Sequence, residues 1–290
     1  MDQRIINLYD CFTHGGFSRR EFLDRLAELA GSAAAAAVLL PMLHNNYAQA
    51  AVVAPDDQKL ASETATYDAG GASISGYLTR FKDKSKRPAV IVIHENRGLN
   101  PHIEDVARRL ALEGFLALAV DMLSPLGGTP TDEDKAREMI GSLKLDETER
   151  QAAAAVQFLQ SHGESNGRVG AIGFCWGGTM VNRLAAASPS LKAGVAYYGR
   201  QIPAERVPSI EAALLLQYAG NDEPVNAGIP AYEAALQANG KKYLIHRYEG
   251  AQHAFNNDTN AARYNKPAAD LAWERTVAFL KEQLGTPGRA

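Results

Sequence analysis

Gly170-Ala171-Ile172-Gly173-Phe174-Cys175-Trp176-Gly177-Gly178 joins an apolar run to a small-residue segment able to open a helix, with one thiol at the junction. Within it, Gly173-x-Cys175-x-Gly177 has the spacing of a nucleophile elbow, with cysteine where serine is usual. The glycines have a steric reason. A sharp strand-to-helix turn holds the nucleophile in a sparsely allowed backbone conformation, and Cβ atoms two residues to either side would collide. The thiol should therefore be presented to a site, and the amides that open the helix favour a thiolate and an oxyanion beside it. The plainer alternative is a structural cysteine in a glycine-rich turn, since free cysteine is among the most buried residue types.

Outward from the elbow, strand and helix patterns alternate. Ala89-Val90-Ile91-Val92-Ile93-His94 is a continuously apolar run of the kind buried on both faces of a parallel sheet. Asn100-Pro101 reads as a cap and first-turn proline for a helix carrying Ile103, Val106, Ala107 and Leu110 and ending at Gly114. Strands follow at 115–120, 168–174, 191–198, 212–218 and 243–248, with helices at 131–143, 147–160, 177–187, 229–239 and 268–284. Upstream, 64–68 and 72–78 flank Gly70-Gly71 as a β-hairpin. The fold class is α/β: a mostly parallel sheet with helices on both faces, whose active residues leave the C-terminal ends of strands.

The chain has 290 residues, 30 basic against 33 acidic, and a net charge of -3. That balance gives no electrostatic reason to expect nucleic acid and suits a small neutral or polar substrate. Ser18-Arg19-Arg20-Glu21-Phe22-Leu23 is similar to the twin-arginine export consensus, an alanine-rich stretch spans 26–43, and Ala48-Gln49-Ala50 offers a cleavage site. The expectation is a signal peptide over 1–50 and one domain over 51–290, periplasmic or secreted, with the export machinery as partner. The alternative is a retained amphipathic N-terminal helix in a cytoplasmic protein, since Glu21, Asp24, Arg25 and Glu28 break the apolar character. The apolar stretch is too short and alanine-rich for a stable membrane span. Cleavage would remove Cys11 and leave Cys175 as an unpaired thiol.

Three reactive residues follow late strands: Cys175, then Asp222 in Gly220-Asn221-Asp222-Glu223-Pro224, then His253 after Glu249-Gly250-Ala251-Gln252. Nucleophile, acid, histidine is the chain order of α/β-hydrolases. The thiolate is the reactive species, imidazole takes and returns its proton near neutrality, and a carboxylate fixes the tautomer and supports imidazolium. Taken singly, Asp222 reads as a loop or N-cap aspartate and His253 as an exposed loop histidine. Their conjunction points to a triad. Metal binding has little support, because the chain has no HExxH or CxxC and its histidines lack ligand spacing.

From about Ser75 onward the chain resembles the dienelactone hydrolase family (carboxymethylenebutenolidases), whose elbow carries cysteine. The resemblance rests on 91–100, 170–178, Ala196-Tyr197-Tyr198-Gly199, Gly220-Asn221-Asp222, Gly250-Ala251-Gln252-His253-Ala254-Phe255 and Trp273-Glu274-Arg275-Thr276. It implies the α/β-hydrolase fold and Cys175, Asp222 and His253 as the triad. It further implies that Glu95 lies near the resting thiol and holds its proton, and that the backbone N–H groups of Asn96 and Trp176 form the oxyanion hole. In the family an arginine four residues after the histidine holds a substrate carboxylate; here that position is Asn257. A neutral amide cannot replace a bidentate guanidinium, so an uncharged ester or lactone is the better expectation, with Arg137 as another candidate anion contact. Trp176, Phe174, Tyr197, Tyr198 and Phe255 are aromatic candidates for the pocket, most of them expected in the core.

The leading reading is a hydrolase that cleaves a small ester or lactone through a thioester, without a cofactor. Its rivals are an acyltransferase or thioesterase-like enzyme using the same triad, and a non-catalytic ligand-binding protein on the same scaffold.

Overall fold

The computed structural model describes residues 1–47 and 51–285, so the cleavage site Ala48-Gln49-Ala50 lies outside the described residues. Eight strands among them form one sheet: β1 (Leu60–Asp68), β2 (Ser73–Phe81), β3 (Arg87–Ile93), β4 (Leu116–Val120), β5 (Ser165–Phe174), β6 (Ala193–Tyr197), β7 (Ala213–Asn221) and β8 (Tyr243–Gln252). Their order is β1-β2-β4-β3-β5-β6-β7-β8. β1 and β2 form the expected hairpin, with Asp68 opposite Ser73, and β2 is antiparallel to β4. From β4 through β3 to β8 every pairing is parallel. The strand order reverses at β3, with β4 on one side and β5 on the other, which puts the C-terminal ends of β3 and β5 side by side at the site, as a switch point in a parallel sheet should.

Helices α4 (Pro101–Leu112), α5 (Glu133–Ser142), α6 (Leu145–Ser161), α7 (Trp176–Ala187), α8 (Ile229–Ala238) and α9 (Lys266–Leu284) cover the sheet. α4 starts as its sequence requires, with the Asn100 side chain accepting from His102 and Ile103 N–H and Pro101 in the first turn. One core, including Ile91, Ile93, Val156, Leu159 and Leu184, lies between the sheet and α6–α8. The other, including Val90, Val92, Ile103, Leu110, Phe279 and Leu280, lies beneath α4 and α9. The fold is that of the α/β-hydrolases.

Ahead of the sheet stand α1 (Gln3–Thr13), α2 (Arg19–Ala30) and α3 (Ala33–Leu43). Each has a side-chain cap: Asp2, Ser18 and Ser32, with Ser18 and Glu21 forming a reciprocal capping box. They bury Tyr9, Phe12, Phe22, Leu26 and Leu43 against one another. Arg20 and the cavity-facing Arg19 are thus the first turn of a capped helix, and Arg19 pairs with Asp134. No single helix among the described residues is long and apolar enough to cross a membrane; α2 and α3 reach that length only together, and they meet at a 113° bend.

This helical segment is fastened to the hydrolase domain by buried polar contacts. Arg97 Nη2 donates to Tyr9 Oη at 2.8 Å, Asn96 Nδ2 to Thr13 O at 2.6 Å, and Asn260 Nδ2 to Leu43 O at 2.6 Å. Arg263 pairs with Asp10 at 2.7 Å. Buried guanidinium groups demand such partners, because desolvation without a counter-charge is costly.

Candidate active site

The elbow has the expected strain. Cys175 sits at φ 54° and ψ −115°, immediately before α7, with its N–H donating to Tyr197 O at 3.0 Å. A Cβ on Gly173 would lie 2.2 Å from Gly177 O, and one on Gly177 would lie 2.3 Å from Ile93 O. Only glycine fits at either place, so the turn closes tightly enough to lift the thiol out of the strand line. Holding a non-glycine residue there costs of order 1–3 kcal/mol, which the surrounding β5–α7 packing sustains.

β7 ends just before Asp222 and β8 just before His253, which brings residues 31 apart in sequence together: His253 Nδ1 and Asp222 Oδ2 are 2.6 Å apart, both buried. A carboxylate can only accept, so Nδ1 carries the proton and Nε2 of the neutral ring carries a lone pair. Among the described residues that Nε2 has no hydrogen-bond partner. Burial would lower the His253 pKa, but the neighbouring Cys175 and Asp222 charges outweigh it and raise the imidazole well above its ordinary value.

A second imidazole faces the thiol. His14, in the loop between α1 and α2, places Nε2 at 3.4 Å from Cys175 Sγ, although 161 residues separate them. Its Nδ1 lies 2.7 Å from the Asp10 carbonyl, and its ring meets that of His253 edge-on at 4.8 Å. The donor atoms of His14, Cys175 and His253 all lie within 4.8 Å of one another, so a ligand-like spacing absent along the chain is created in space. Burial pushes the Cys175 thiol up, yet His253 and His14 together pull it down to about 6.

Glu95 is buried at the end of β3 but is engaged elsewhere. Asn257 Nδ2 donates to its Oε2 at 2.7 Å and Tyr198 Oη to its Oε1 at 3.5 Å. Among the described residues no hydrogen bond joins Glu95 to Sγ, so in this conformation it does not hold the thiol's proton, as the resemblance implied; His14 is the residue hydrogen-bonded there. The competing donors from Asn257 and Tyr198 are the reason. The backbone N–H groups of Asn96 and Trp176 have no acceptor among the described residues, and Asn96 is anchored by its side chain. His94 braces this loop: its ring stacks on Trp176 at 5.4 Å, Nδ1 donates to Glu95 O at 2.6 Å, and Nε2 accepts from Met122 N–H at 3.2 Å. Burial lowers its pKa, consistent with the neutral tautomer those contacts need.

A cavity of about 1890 Å³ opens over the thiol between the N-terminal helices and the C-terminal ends of the strands, lined by Cys175, Trp176, Tyr198, Asp222 and His253 together with Asp10, His14 and Arg19. Arg137 lines it too, stacked over Phe12 at 4.1 Å and paired with Asp134 at 3.3 Å. Asn257 and Phe255 do not line it. Asn257 is buried on Glu95 and on Thr259, whose Oγ1 donates to it at 2.6 Å, and Phe255 packs against Tyr197, Tyr198 and Tyr248. Asn257, at the position of the family's arginine, and Phe255, a candidate for the pocket, are therefore supports beneath the site, since a short polar turn after His253 directs them inward. Phe174 and Tyr197 are core as well.

His14, Tyr9, Asp10 and Thr13 escaped the sequence reading, which assigned their segment to a leader. The available signal was the amphipathic α1 with Tyr9 and Phe12 on one face, followed by the capping box at Ser18-Arg19-Arg20-Glu21.

Comparison with known proteins identifies the family. A family model described as "Dienelactone hydrolase family" matches residues 74–284, and a second, described as "YqhI-like", matches residues 1–33. A protein of Saccharolobus solfataricus named "Putative carboxymethylenebutenolidase" is 33% identical over 253 residues, covering 74% of this chain and 96% of its own. A Bradyrhizobium protein named "Probable 2-oxo-3-(5-oxofuran-2-ylidene)propanoate lactonase" is 31% identical over 245 residues, covering 78% of this chain and 98% of its own. The crystal structure of a dienelactone hydrolase-like promiscuous phosphotriesterase, P91, from metagenomic libraries superposes with a TM-score of 0.72 at 27% identity, covering 78% of this chain and 100% of that one. With its elbow, its sheet order and a match over most of its length, the chain belongs to the dienelactone hydrolase family.

Proposed function

We propose that this hydrolase cleaves a small, uncharged ester or lactone with Cys175 as nucleophile, His253 as proton carrier and Asp222 as its orienting carboxylate. The observation that carries the reading is the buried 2.6 Å contact of His253 Nδ1 with Asp222 beside the strained elbow thiol. The thiolate attacks the acyl carbon, and the Asn96 and Trp176 N–H groups receive the charge on the carbonyl oxygen. The C–O bond then breaks to leave a thioester, and water delivered against it regenerates the thiol. A neutral substrate suits the cavity wall, where Asp132, Asp134, Glu138 and Glu223 stand against Arg19, Arg137 and Arg200, with Arg19 and Arg137 sharing Asp134. The relative named as a lactonase supports a cyclic ester as one substrate class.

Substituting Cys175→Ala should abolish turnover of p-nitrophenyl esters and lactones with the fold intact by circular dichroism, while the wild type yields an acyl adduct on the peptide containing Cys175. Retained hydrolysis in the alanine variant would refute the mechanism. Preference for carboxylate-bearing substrates would instead point to Arg200, which has no acidic partner among the described residues, and Arg200→Gln should then remove that preference.

Ser18-Arg19-Arg20-Glu21-Phe22-Leu23 and the alanine-rich stretch after it support periplasmic or secreted location through twin-arginine export, a use of the segment that would remove His14 on cleavage. Burial of Tyr9, Phe22 and Leu26 supports retention of the same segment. Intact-mass analysis of the protein recovered from its producing cell separates the two: an N-terminus at Ala51 means export with cleavage, one at Met1 or Asp2 means retention.

A further inference from the structure

We infer that His14, carried to the thiol by the N-terminal helical segment, is a further catalytic residue: a second proton acceptor and donor at Cys175 Sγ, additional to His253. The inference rests on the reading of Cys175 as nucleophile. Its geometric basis is the tautomer of each ring. The Asp10 carbonyl can only accept, so His14 Nδ1, 2.7 Å away, bears the proton and the Nε2 lone pair of the neutral ring faces Sγ at 3.4 Å. His253 is fixed the same way by Asp222 and also leaves its Nε2 lone pair without a partner among the described residues. Two bases thus converge on one S–H proton, and when one takes it the other remains a base.

The rings differ in a way that divides the work. His253 is buried and held on a carboxylate, whereas His14 is exposed and held on a backbone carbonyl beside the open cavity. In acylation the S–H bond breaks and the proton goes to His14 Nε2. Sulfur then forms its bond to the acyl carbon, the C–O bond to the leaving group breaks, and that oxygen takes the proton from His14, releasing the alcohol. In deacylation neutral His253 takes a proton from water as the oxygen attacks the thioester. The C–S bond breaks, and the proton returns to sulfur, releasing the acid. The sum is ester plus water to acid plus alcohol, with both rings neutral at the end.

The carboxylates nearest the thiol are engaged elsewhere, Asp222 by His253 and Glu95 by its own donors, which leaves the two imidazoles to exchange its proton. Glu95, the other acid-base group near the strand ends, is occupied by Asn257 and Tyr198. His14 itself follows directly on the end of α1, which is fixed to the hydrolase domain by Thr13 O accepting from Asn96 and by Asp10 pairing with Arg263.

The test uses the full-length chain in a Cys11→Ser background, because Cys11 is a second, exposed free thiol. His14→Ala and His14→Gln are compared with the parent in the pH dependence of iodoacetamide alkylation of Cys175 and in single-turnover acylation by p-nitrophenyl acetate. The expected result is an alkylation midpoint at higher pH and acylation slowed about 100-fold, with imidazole in the buffer restoring acylation to His14→Ala but not to His14→Gln. Parental midpoints and acylation rates in both variants would overturn the inference. So would a loss without imidazole rescue, which marks a packing role, and so would one equivalent of zinc bound to the parent and lost in His14→Ala, which gives the lone pair to a cation. Hydrolysis surviving in Cys175→Ala would defeat the nucleophile reading itself, whereas a dead Cys175→Ala beside an unaffected His14→Ala would defeat this inference alone.

Discussion

Cys175 shows how much a single backbone conformation decides. Its positive φ is tolerated because Gly173 and Gly177 clear the volume that side chains would fill, and the outcome is a thiol at the mouth of a cavity instead of inside a strand. Gly177→Ala should therefore destabilise the fold by about 3 kcal/mol, the upper part of the range for overpacked cores, because its new Cβ meets backbone that cannot yield. Urea denaturation monitored by tryptophan fluorescence measures it. The thiol's lowered pKa gives a second expectation. With a midpoint of about 6, Cys175 alkylation should be near its plateau at neutral pH and fall as pH drops below 6, whereas an ordinary thiol still gains reactivity up to pH 9. Asn257 belongs at this scale too. Asn257→Ala removes the 2.7 Å donor from a buried carboxylate and should cost about 1–3 kcal/mol without changing which ester is preferred, since Asn257 does not reach the cavity.

Among the elements, strands and helices that alternate in the sheet were legible because each carries its own pattern: unbroken apolar runs for β3 and β4, and a cap, a first-turn proline and a 3.6-residue repeat for α4. α1–α3 were legible only as one of two alternatives, since a capped amphipathic helix before an alanine-rich helix presents the same residues as an export leader. Ser18 discriminates between the two uses. In the folded chain it accepts from Glu21 N–H and is matched by the Glu21 carboxylate, so Ser18→Ala should cost about 1 kcal/mol. Hydrogen exchange of α2 amides should accelerate about fivefold, with exchange in α7 unchanged.

At the scale of the whole molecule, the N-terminal helices and the hydrolase domain share one cavity and one set of buried charges. Arg263, 3% exposed, has Asp10 as its ion-pair partner and the Tyr9 ring beneath it at 5.1 Å. Asp10→Ala strands that guanidinium and should cost about 3–5 kcal/mol, measured as a lower urea midpoint. The backbone carbonyl that orients His14 remains in place, so thiol reactivity should survive in the fraction still folded. The sequence by itself determined the α/β alternation, the elbow, and the order Cys175, Asp222, His253, because each depends on local pattern or on strand ends that a parallel sheet gathers at one edge. Only the tertiary structure decided that His14 faces the thiol, that Glu95 is taken up by Asn257 and Tyr198, and that Phe255 lies in the core. Those outcomes depend on which amphipathic face docks where and on competition among buried donors and acceptors. Both are fixed by packing between segments far apart in the chain, which no local pattern carries.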